Sequence, residues 1–357
     1  MEKTSVLVGM SGGVDSSAAA LLLQRQGFRV AGATFLLWNG ADGRCGTERE
    51  AADAAEVCRI LGIPHHIIDL RERFEAAVIR RFAESYRQGR TPNPCVDCNR
   101  SIKFPGLLEA ADRLGYARIA TGHYARILRD GEGRAHLAAA ADRRKDQSYM
   151  LWALPRQALE RVELPLWPYE KDAVRALARE AGLPVYDKAE SQDVCFIPDG
   201  DMPGFLEQYA GLAPAPGDFL DGDGAVIGRH DGCWKYTIGQ RRGLGVGFGQ
   251  RMFVTGIDPA HNTVTLSAGE GLFRRRLIAG ELNLLEGELT GPAAVTAKIR
   301  YAARPAAATL YPLEGSRALV EFIEGQRAVT PGQSVVFYRG EILWGGGIIL
   351  PELPPED

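Results

Sequence analysis

The first 120 residues alternate short, β-branched apolar runs with longer segments in which apolar residues recur at helical spacing. This alternation is typical of a parallel α/β sheet whose strands are joined by helices. The predicted strands are Val6–Gly9, Arg29–Leu37, residues 65–70 and residues 117–124. The predicted helices are Ser16–Gln26, residues 48–61, Arg71–Gln88, residues 106–115, Pro155–Arg161 and Lys171–Ala181. Residues 89–104, which contain Pro92 and Pro94 and lie between the third and fourth predicted helices, are predicted to be a loop.

The pattern changes beyond residue 200, where glycine and proline become frequent and helical periodicity nearly disappears. Short alternating segments follow, and from about Leu277 they become five regular strand candidates: residues 294–301, 307–313, 317–324, 334–340 and 341–350. Short strands divided by turn residues favour a small antiparallel barrel. We therefore predict an α/β domain over residues 1–200, a small β-rich middle domain over residues 201–276, and a C-terminal β-barrel domain over residues 277–357.

Composition excludes several classes of protein. With 45% hydrophobic and 24% charged residues, the chain has the composition of a globular protein. No apolar stretch approaches the roughly 18 residues of a spanning helix, and no signal peptide opens the chain, so we expect a cytoplasmic protein with no membrane partner. The formal net charge of −3 means that any nucleic acid must be bound by local basic clusters.

The glycine-rich stretch SGGVDSS, residues 11–17, lies between the first predicted strand and the first predicted helix. Glycines at a strand-to-helix turn let backbone amides converge on an anion, and the helix dipole adds a favourable potential. The stretch is not a Walker A motif, because no lysine follows the glycines. Asp15 suits a phosphate site only if it holds a cation, such as Mg²⁺, that bridges the phosphates.

Six cysteines are too few for a disulfide scaffold in a chain of 357 residues. Cys45, Cys58 and Cys233 are interpreted as small buried hydrophobic residues. Cys95 and Cys98 lie three apart beside cationic Arg100 and Lys103, which favours the reactive thiolate form. A further cysteine, Cys195, follows almost a hundred residues later in a polar stretch at the end of the same predicted domain.

The segment GMSGGVDSS resembles the PP-loop of the ATP pyrophosphatase superfamily, whose members adenylate an oxygen and release pyrophosphate. Together with further segments, it makes the chain similar, nearly end to end, to the tRNA-specific 2-thiouridylase family. These segments are NPCVDCN, TGHYARI, KDQSYML, ESQDVCFIP, YTIGQRRGLG, KIRY and TPGQSVVFY. The resemblance implies ATP-dependent 2-thiolation of the wobble uridine of tRNA. ATP would adenylate the C2 oxygen, and a cysteine persulfide would deliver the sulfur.

The resemblance also implies site residues. Cys195 would carry the persulfide and Cys98 would be its partner nucleophile, so that a Cys98–Cys195 disulfide remains. ATP would be bound by Gly9, Met10, Ser11, Gly12, Gly13, Val14, Asp15, Ser16, Phe35 and Gly122. Asn93, Pro94 and Cys95 would face the target base, and the remaining tRNA contacts would be His123, Lys145, Asp146, Gln147, Arg300, Tyr301 and Gln333. A protein that supplies persulfide or sulfide is implied as a further partner.

One departure leaves the sulfur chemistry open. Many family members have Asp at the position of Cys95, whereas this chain has a set of three thiols, Cys95, Cys98 and Cys195, with no obvious fourth ligand. Three cysteines can hold an iron–sulfur cluster with one open iron, which would give the same product by another route. Two other functions also remain open: a different PP-loop ligase or amidotransferase, and a non-catalytic RNA-binding module in which the cysteines hold structural zinc.

Overall fold

A computed structural model describes residues 3–38, 46–188, 194–197, 200–245, 247 and 249–352. The chain forms two compact units. The first is built from the described parts of residues 1–79, 94–200 and 341–343, and the second from those of residues 80–93, 201–340 and 344–357. Within the described ranges, no helix is both long enough and apolar enough to cross a membrane.

The first unit contains a five-stranded parallel sheet in the order β3-β2-β1-β4-β7. Its strands are β1 (Ser5–Gly9), β2 (Arg29–Leu36), β3 (His65–Asp69), β4 (Arg118–Ala120) and β7 (Val162–Glu163). Its helices are α1 (Val14–Arg25), α2 (Glu48–Leu61), α3 (Arg71–Phe74), α5 (Pro94–Cys98), α6 (Phe104–Leu114), α7 (Arg156–Arg161) and α8 (Lys171–Glu180). A hairpin of β5 (Ala125–Arg129) and β6 (Ala135–Ala139) completes it. The predicted parallel α/β architecture is confirmed.

The apolar run of β1 explains the centre of this unit. Val6, Leu7 and Val8 are fully buried, and β1 is paired on both edges, with β2 and with β4. The small residues Ala18–Ala20 of α1 are also fully buried in the same core, so α1 packs closely against the sheet. The carboxyl ends of β1, β2 and β4 therefore meet at one edge, where the glycine-rich turn begins.

The predicted loop over residues 89–104 is wrong for most of its length. Residues Pro94–Cys98 form α5, Asn99–Lys103 continue as a π-helix, and α6 follows without a break. Proline is accepted at the first position of a helix, where its missing N–H has no intrahelical partner to lose. Pro94 thus begins a helix where the sequence reading took it as a sign of a loop.

The second unit begins with α4 (Arg80–Arg87) and continues with α9 (Met202–Ala210), a helix that the sequence reading missed. Its smaller sheet has the order β10-β11-β8-β9, formed by β8 (Gly217–Leu220), β9 (Val226–His230), β10 (Phe253–Asp258) and β11 (Thr263–Ser267). The remaining strands are β12 (Phe273–Leu284), β13 (Ala293–Lys298), β14 (Ala306–Leu313), β15 (Arg317–Arg327), β16 (Ser334–Arg339) and β17 (Ile342–Ile349).

These last six strands close into a barrel in the order β12-β15-β14-β13-β16-β17, because β12 also pairs with β17. The predicted C-terminal barrel is confirmed, and β12 adds a sixth strand to the five predicted. The residue bounds of the three predicted domains stay predictions.

Candidate nucleotide and thiol site

The turn after β1 is held by its own serine hydroxyls. The Ser11 N–H donates to Ser16 Oγ at 3.1 Å, and the Ser16 hydroxyl donates to the Gly13 carbonyl at 3.2 Å. The Ser17 hydroxyl donates to the same carbonyl at 2.8 Å. These bonds fold the turn back onto the first turn of α1, whose amides have no intrahelical acceptor. The arrangement is suited to bind a phosphate group.

Two glycines allow close approach of neighbouring backbone to this turn. Gly12 has φ +65°, and a Cβ there would lie 2.6 Å from the Glu50 carbonyl oxygen. A Cβ at Gly122, just after β4, would lie 2.7 Å from both the Asp15 carbonyl carbon and the Ser16 amide nitrogen. Any larger residue at either position would therefore push backbone away from the turn.

The Asp15 carboxylate is paired with a lysine from α8. Lys171 Nζ donates to both carboxylate oxygens, at 2.8 and 2.7 Å, and the Tyr124 hydroxyl donates to Asp15 Oδ1 at 2.8 Å. Lys171 is only 11% exposed, whereas Asp15 keeps 33% of its side chain accessible. The Lys171 ammonium thus already lies beside Asp15, whereas the sequence predicts only a bound cation such as Mg²⁺ at this carboxylate.

The predicted nucleotide residues converge on one cleft. Gly9, Met10, Ser11, Asp15, Ser16, Phe35 and Gly122 all line it, together with the predicted tRNA residues His123 and Gln147. Gly12 and Gly13 form the turn itself. The side chain of Val14 instead belongs to the hydrophobic core, so only its backbone is available to a ligand.

His123 also lines the cleft, directly after Gly122 in the chain. Its Nδ1 lies 2.8 Å from Thr121 Oγ1, and its ring stacks on Phe104 with centroids 5.8 Å apart. Burial, and next the charge of Lys103, lower the pKa of His123 to about 3. The imidazole is therefore neutral at physiological pH and can exchange hydrogen bonds but not neutralise phosphate.

The three predicted thiols line a second, smaller pocket. Cys95 is exposed, Cys195 is partly exposed, and Cys98 is 6% exposed. The pocket is completed by Phe74, Val78, Pro94, Lys103, Val194 and Phe196. Phe196 packs edge-on against Phe74 with centroids 5.8 Å apart, which fixes the chain next to Cys195. Residues 190–193 and 198 of the predicted ESQDVCFIP segment lie outside the described residues.

Lys103 lines both the cleft and the thiol pocket. This confirms its prediction as a cationic neighbour of the thiols. Arg100, the other predicted neighbour, donates to Asp97 at 2.8 Å, so its charge is partly compensated. The two cavities are thus adjacent, and one ammonium group borders each of them.

The other cysteines behave as predicted where the structure describes them. Cys58 and Cys233 are buried, and burial raises the pKa of the Cys58 thiol to about 11. Neither thiol is therefore suited to act as a nucleophile. Cys45 lies outside the described residues.

The predicted tRNA residues beyond the cleft have varied surroundings. Asp146 is buried and accepts hydrogen bonds from the Ala140 and Ser148 amides and the Ser148 hydroxyl, at 3.0, 3.2 and 2.9 Å. Its carboxylate therefore holds its own loop in place. The neighbouring Lys145 is partly exposed, and Gln147 Oε1 accepts from the Tyr124 amide at 2.9 Å.

In the second unit, Gln333 anchors the chain just before the NPCVDCN motif. Its Nε2 donates to the carbonyls of Thr91 and Pro92, at 2.8 and 3.2 Å, directly before the partly exposed Asn93. Arg300 is exposed and lines a barrel pocket with Phe273, Arg304, Ile323 and Arg327. Tyr301 is 38% exposed.

Sequence reasoning missed two lysines of the cleft region. Lys171 pairs with Asp15, and Lys188 donates to the Gly12 carbonyl at 2.9 Å and to Asp53 at 2.7 Å. Each is more than 150 residues from the turn that it contacts. No local motif marks either lysine, so only the folded chain identifies them.

Comparisons with known proteins agree along the whole chain. Residues 4–199 match the family model of the tRNA methyl transferase HUP domain, residues 203–268 the tRNA methyl transferase PRC-barrel domain, and residues 274–349 the Aminomethyltransferase beta-barrel domain. The tRNA-specific 2-thiouridylase MnmA of Pelotomaculum thermopropionicum is 48% identical over 359 residues, which cover 98% of each chain. That of Heliobacterium modesticaldum is 46% identical over 98% of this chain and 94% of its own.

One solved structure, a 4-thiouridine synthetase–RNA complex with bound ATP, superposes on 57% of this chain and 50% of its own, with 18% identity and a TM-score of 0.40. That likeness is too loose to bear on the site. The curated relatives instead match over almost their full length. This chain therefore belongs to the tRNA-specific 2-thiouridylase family.

Proposed function

We propose that this protein is an ATP-dependent tRNA-uridine 2-sulfurtransferase that replaces the C2 oxygen of the wobble uridine with sulfur in the cytoplasm. The observation that carries the proposal is the adjacency of the two cavities, with Lys103 lining both. Adenylation and sulfur attack occur at neighbouring atoms of the same base, the oxygen and the carbon of one carbonyl. A base placed between a nucleotide cleft and a thiol pocket meets both requirements.

ATP fits the cleft as a substrate. Its phosphates would lie at the turn formed by Gly12 and Gly13, where the amides of the first turn of α1 can donate hydrogen bonds. The close approach that Gly122 allows keeps the end of β4 against this turn. Phe35, Met10 and Gly122 would line the adenine side.

Magnesium also fits the donors around the turn, which are the Asp15 carboxylate and the hydroxyls of Ser11 and Ser16. Mg²⁺ prefers oxygen ligands and is commonly held by one or two carboxylates together with the phosphates of a substrate. When bound, it would neutralise charge on the polyphosphate and so favour departure of pyrophosphate. Lys171 already compensates the Asp15 charge, which lowers repulsion between that carboxylate and the incoming nucleotide.

Adenylation prepares the base for substitution. A carbonyl oxygen is a poor leaving group, and its bond to the α-phosphate turns it into AMP, which leaves readily. Lys103 is placed to stabilise negative charge that develops on the departing oxygen. Neutral His123 contacts the base or its ribose without adding charge.

The sulfur step uses Cys195 and Cys98. The terminal sulfur of a Cys195 persulfide bonds to C2 and AMP leaves. The Cys98 thiolate then attacks the Cys195 sulfur and breaks its bond to the transferred sulfur, which stays on the base as the thiocarbonyl. The products are 2-thiouridine and a Cys98–Cys195 disulfide. Once the disulfide has been reduced, the Cys195 thiolate takes the outer sulfur of a persulfide carried by a donor protein, and the donor keeps a thiol.

The arrangement of the thiols supports the persulfide route over the cluster route. Within the described part of the chain, no group of three His, Cys, Asp or Glu residues is arranged to hold a metal ion. Cys95, Cys98 and Cys195 surround one pocket but do not form such a set. The same observation argues against a structural zinc site in the rival RNA-binding module.

We further propose that tRNA reaches the site along basic and aromatic side chains. Asn93, Pro94 and Cys95 face the target base, and Lys145, Gln147, Arg300 and Tyr301 contact the RNA. Phosphate contacts dominate RNA affinity, so a chain with a small net charge can bind through such local groups. Asp146 and Gln333 act by positioning these segments, because both are engaged in bonds to the backbone.

The test combines the protein with unmodified tRNA, MgATP and a persulfide donor, under anaerobic conditions that keep any iron site intact. Nucleoside analysis should find 2-thiouridine, and the pure enzyme should contain neither iron nor acid-labile sulfide. Stoichiometric iron and sulfide that are required for activity would overturn the persulfide route. Absence of any thiolated nucleoside would overturn the function.

A further inference from the structure

The three thiols of the second pocket differ in their access to solvent. Cys95 is exposed, whereas Cys98, three residues later, is 6% exposed. Cys195 is intermediate. All three contribute to the same pocket, so the exposed thiol borders the same space as the two that take part in sulfur transfer.

Sulfur transfer by the proposed route leaves the enzyme oxidised by two electrons, in the form of a Cys98–Cys195 disulfide. The enzyme must be reduced before the next turnover. Thiol–disulfide exchange requires a thiolate to reach a disulfide sulfur directly. Cys98 is buried, so half of that disulfide is shielded from an external reductant.

We propose that Cys95 is the resolving thiol, which moves the disulfide from the buried pair to the protein surface. This inference rests on the proposed function. The Cys95 thiolate attacks the Cys98 sulfur, a Cys95–Cys98 bond forms, and the Cys98–Cys195 bond breaks. Cys195 leaves as a thiolate, ready to accept a new persulfide. An external dithiol then reduces the exposed Cys95–Cys98 disulfide, becomes a disulfide itself, and restores two thiols.

The local structure suits this exchange. Cys95 and Cys98 are three residues apart in α5, so both project from the same face of the helix, with Cβ atoms about 5–6 Å apart. A disulfide requires a Cβ separation of about 3.5–4.5 Å, so a shift of roughly 1–2 Å closes the bond. The Cys-X-X-Cys spacing is also one in which thiol reactivity is commonly raised.

The surroundings of α5 explain why Cys95, and not Cys98, meets the reductant. Val96 and Asp97, between the two cysteines, are buried, and the Arg100 guanidinium holds Asp97 at 2.8 Å. Buried Val96, Asp97 and Cys98 therefore hold the helix in place. Cys95 lies at the start of the helix and stays accessible.

The test follows disulfides through a single turnover without reductant. Persulfide-loaded enzyme is mixed with MgATP and tRNA, quenched with an alkylating agent at successive times, and mapped by non-reducing mass spectrometry. We expect a Cys98–Cys195 disulfide first, followed by a Cys95–Cys98 disulfide with Cys195 alkylated. In Cys95→Ser, the Cys98–Cys195 disulfide should persist.

A second readout is the rate at which dithiothreitol restores the spent enzyme. We expect Cys95→Ser to be reduced about tenfold more slowly than the wild type, since its Cys98–Cys195 disulfide joins a buried sulfur to a partly exposed one and has no fully exposed sulfur. Cys233→Ala is the control, because it removes a thiol that does not line this pocket, and it should behave as the wild type.

The outcomes separate this inference from the proposed function. If 2-thiouridine forms but the wild-type disulfide stays at Cys98–Cys195, or if both variants are reduced at the wild-type rate, Cys95 is not a resolving thiol. If 2-thiouridine forms with no disulfide at any time, the inference and the persulfide route both fail. If no thiolated nucleoside forms, the proposed function itself fails, and this inference with it.

Discussion

Substitution of Gly122 by alanine tests the contact between the end of β4 and the phosphate turn. A Cβ at this position would lie 2.7 Å from the Asp15 carbonyl carbon and the Ser16 amide nitrogen, and 3.0 Å from Asp15 Cβ. Ordinary contact begins near 3.4 Å, so the shortfall from 3.4 to 2.7 Å is about 0.7 Å. Two of these neighbours are backbone atoms of α1, and they cannot rotate away as a flexible side chain would.

The methyl group must therefore displace either the turn or the segment that carries Gly122. Overpacking of this kind costs about 1–3 kcal/mol in the free energy of unfolding. Because the displaced turn is the proposed phosphate site, we also expect the rate of pyrophosphate release to fall by roughly ten- to a hundredfold at fixed ATP.

The assay compares two variants by urea unfolding, followed by tryptophan fluorescence, and by pyrophosphate release in the presence of tRNA. Gly131→Ala is the matched control, because a Cβ at Gly131 has no neighbour within 4 Å and its φ is not in the left-handed region. Gly131→Ala should match the wild type in both measurements. If Gly122→Ala also matches the wild type in both measurements, Gly122 does not hold the phosphate turn in place.

Three further variants test other parts of the site. Lys171→Met leaves the Asp15 carboxylate without its ammonium partner, so we expect KM for ATP to rise about tenfold and to recover in Lys171→Arg. KM is measured from initial rates over a range of ATP concentrations. An unchanged KM in Lys171→Met would contradict this role of Lys171. Burial, together with the charge of Lys103, lowers the pKa of His123 to about 3, below its ordinary value of 6.5. As the pH falls, His123 therefore becomes protonated in the unfolded chain before it does in the folded chain. Its contribution to the free energy of unfolding is complete above pH 6.5 and is lost as the pH falls from 6.5 towards 3. Between pH 6.5 and pH 3, the urea midpoint should therefore fall less steeply with pH in His123→Gln than in the wild type. Parallel slopes in the two proteins would contradict a lowered His123 pKa. Cys195→Ser should still release pyrophosphate and adenylate the tRNA, yet form no 2-thiouridine by nucleoside analysis; thiolation by this variant would exclude Cys195 as the sulfur carrier.

Local patterns in the sequence are enough to predict the centre of the first unit. The apolar run of β1, the glycine turn and the small residues of α1 are adjacent in sequence, and each acts on its immediate neighbours. The β-barrel was also predictable, because alternating apolar residues mark its strands. The strand β12 was missed since its first four residues, FRRR, form a charged cluster in the sequence although they pair with β15.

The failures have a common physical cause, which is that tertiary context overrides local signals. Pro94 was taken to indicate a loop, but a proline at the first position of a helix costs nothing. Lys171 and Lys188 reach the turn from more than 150 residues away, so no spacing could reveal them. The amide and hydroxyl donors around the Asp146 carboxylate are likewise a tertiary arrangement that no local pattern reveals, and its contact with tRNA stays a prediction.

The most direct measurement counts three products in one reaction. Pure protein is given unmodified tRNA, MgATP and a sulfur source, and AMP, pyrophosphate and 2-thiouridine are quantified at successive times. The account predicts equal amounts of all three, and Asp15→Ala should produce none of them. Formation of AMP and pyrophosphate without any thiolated nucleoside, or of 2-thiouridine without ATP cleavage, would contradict it.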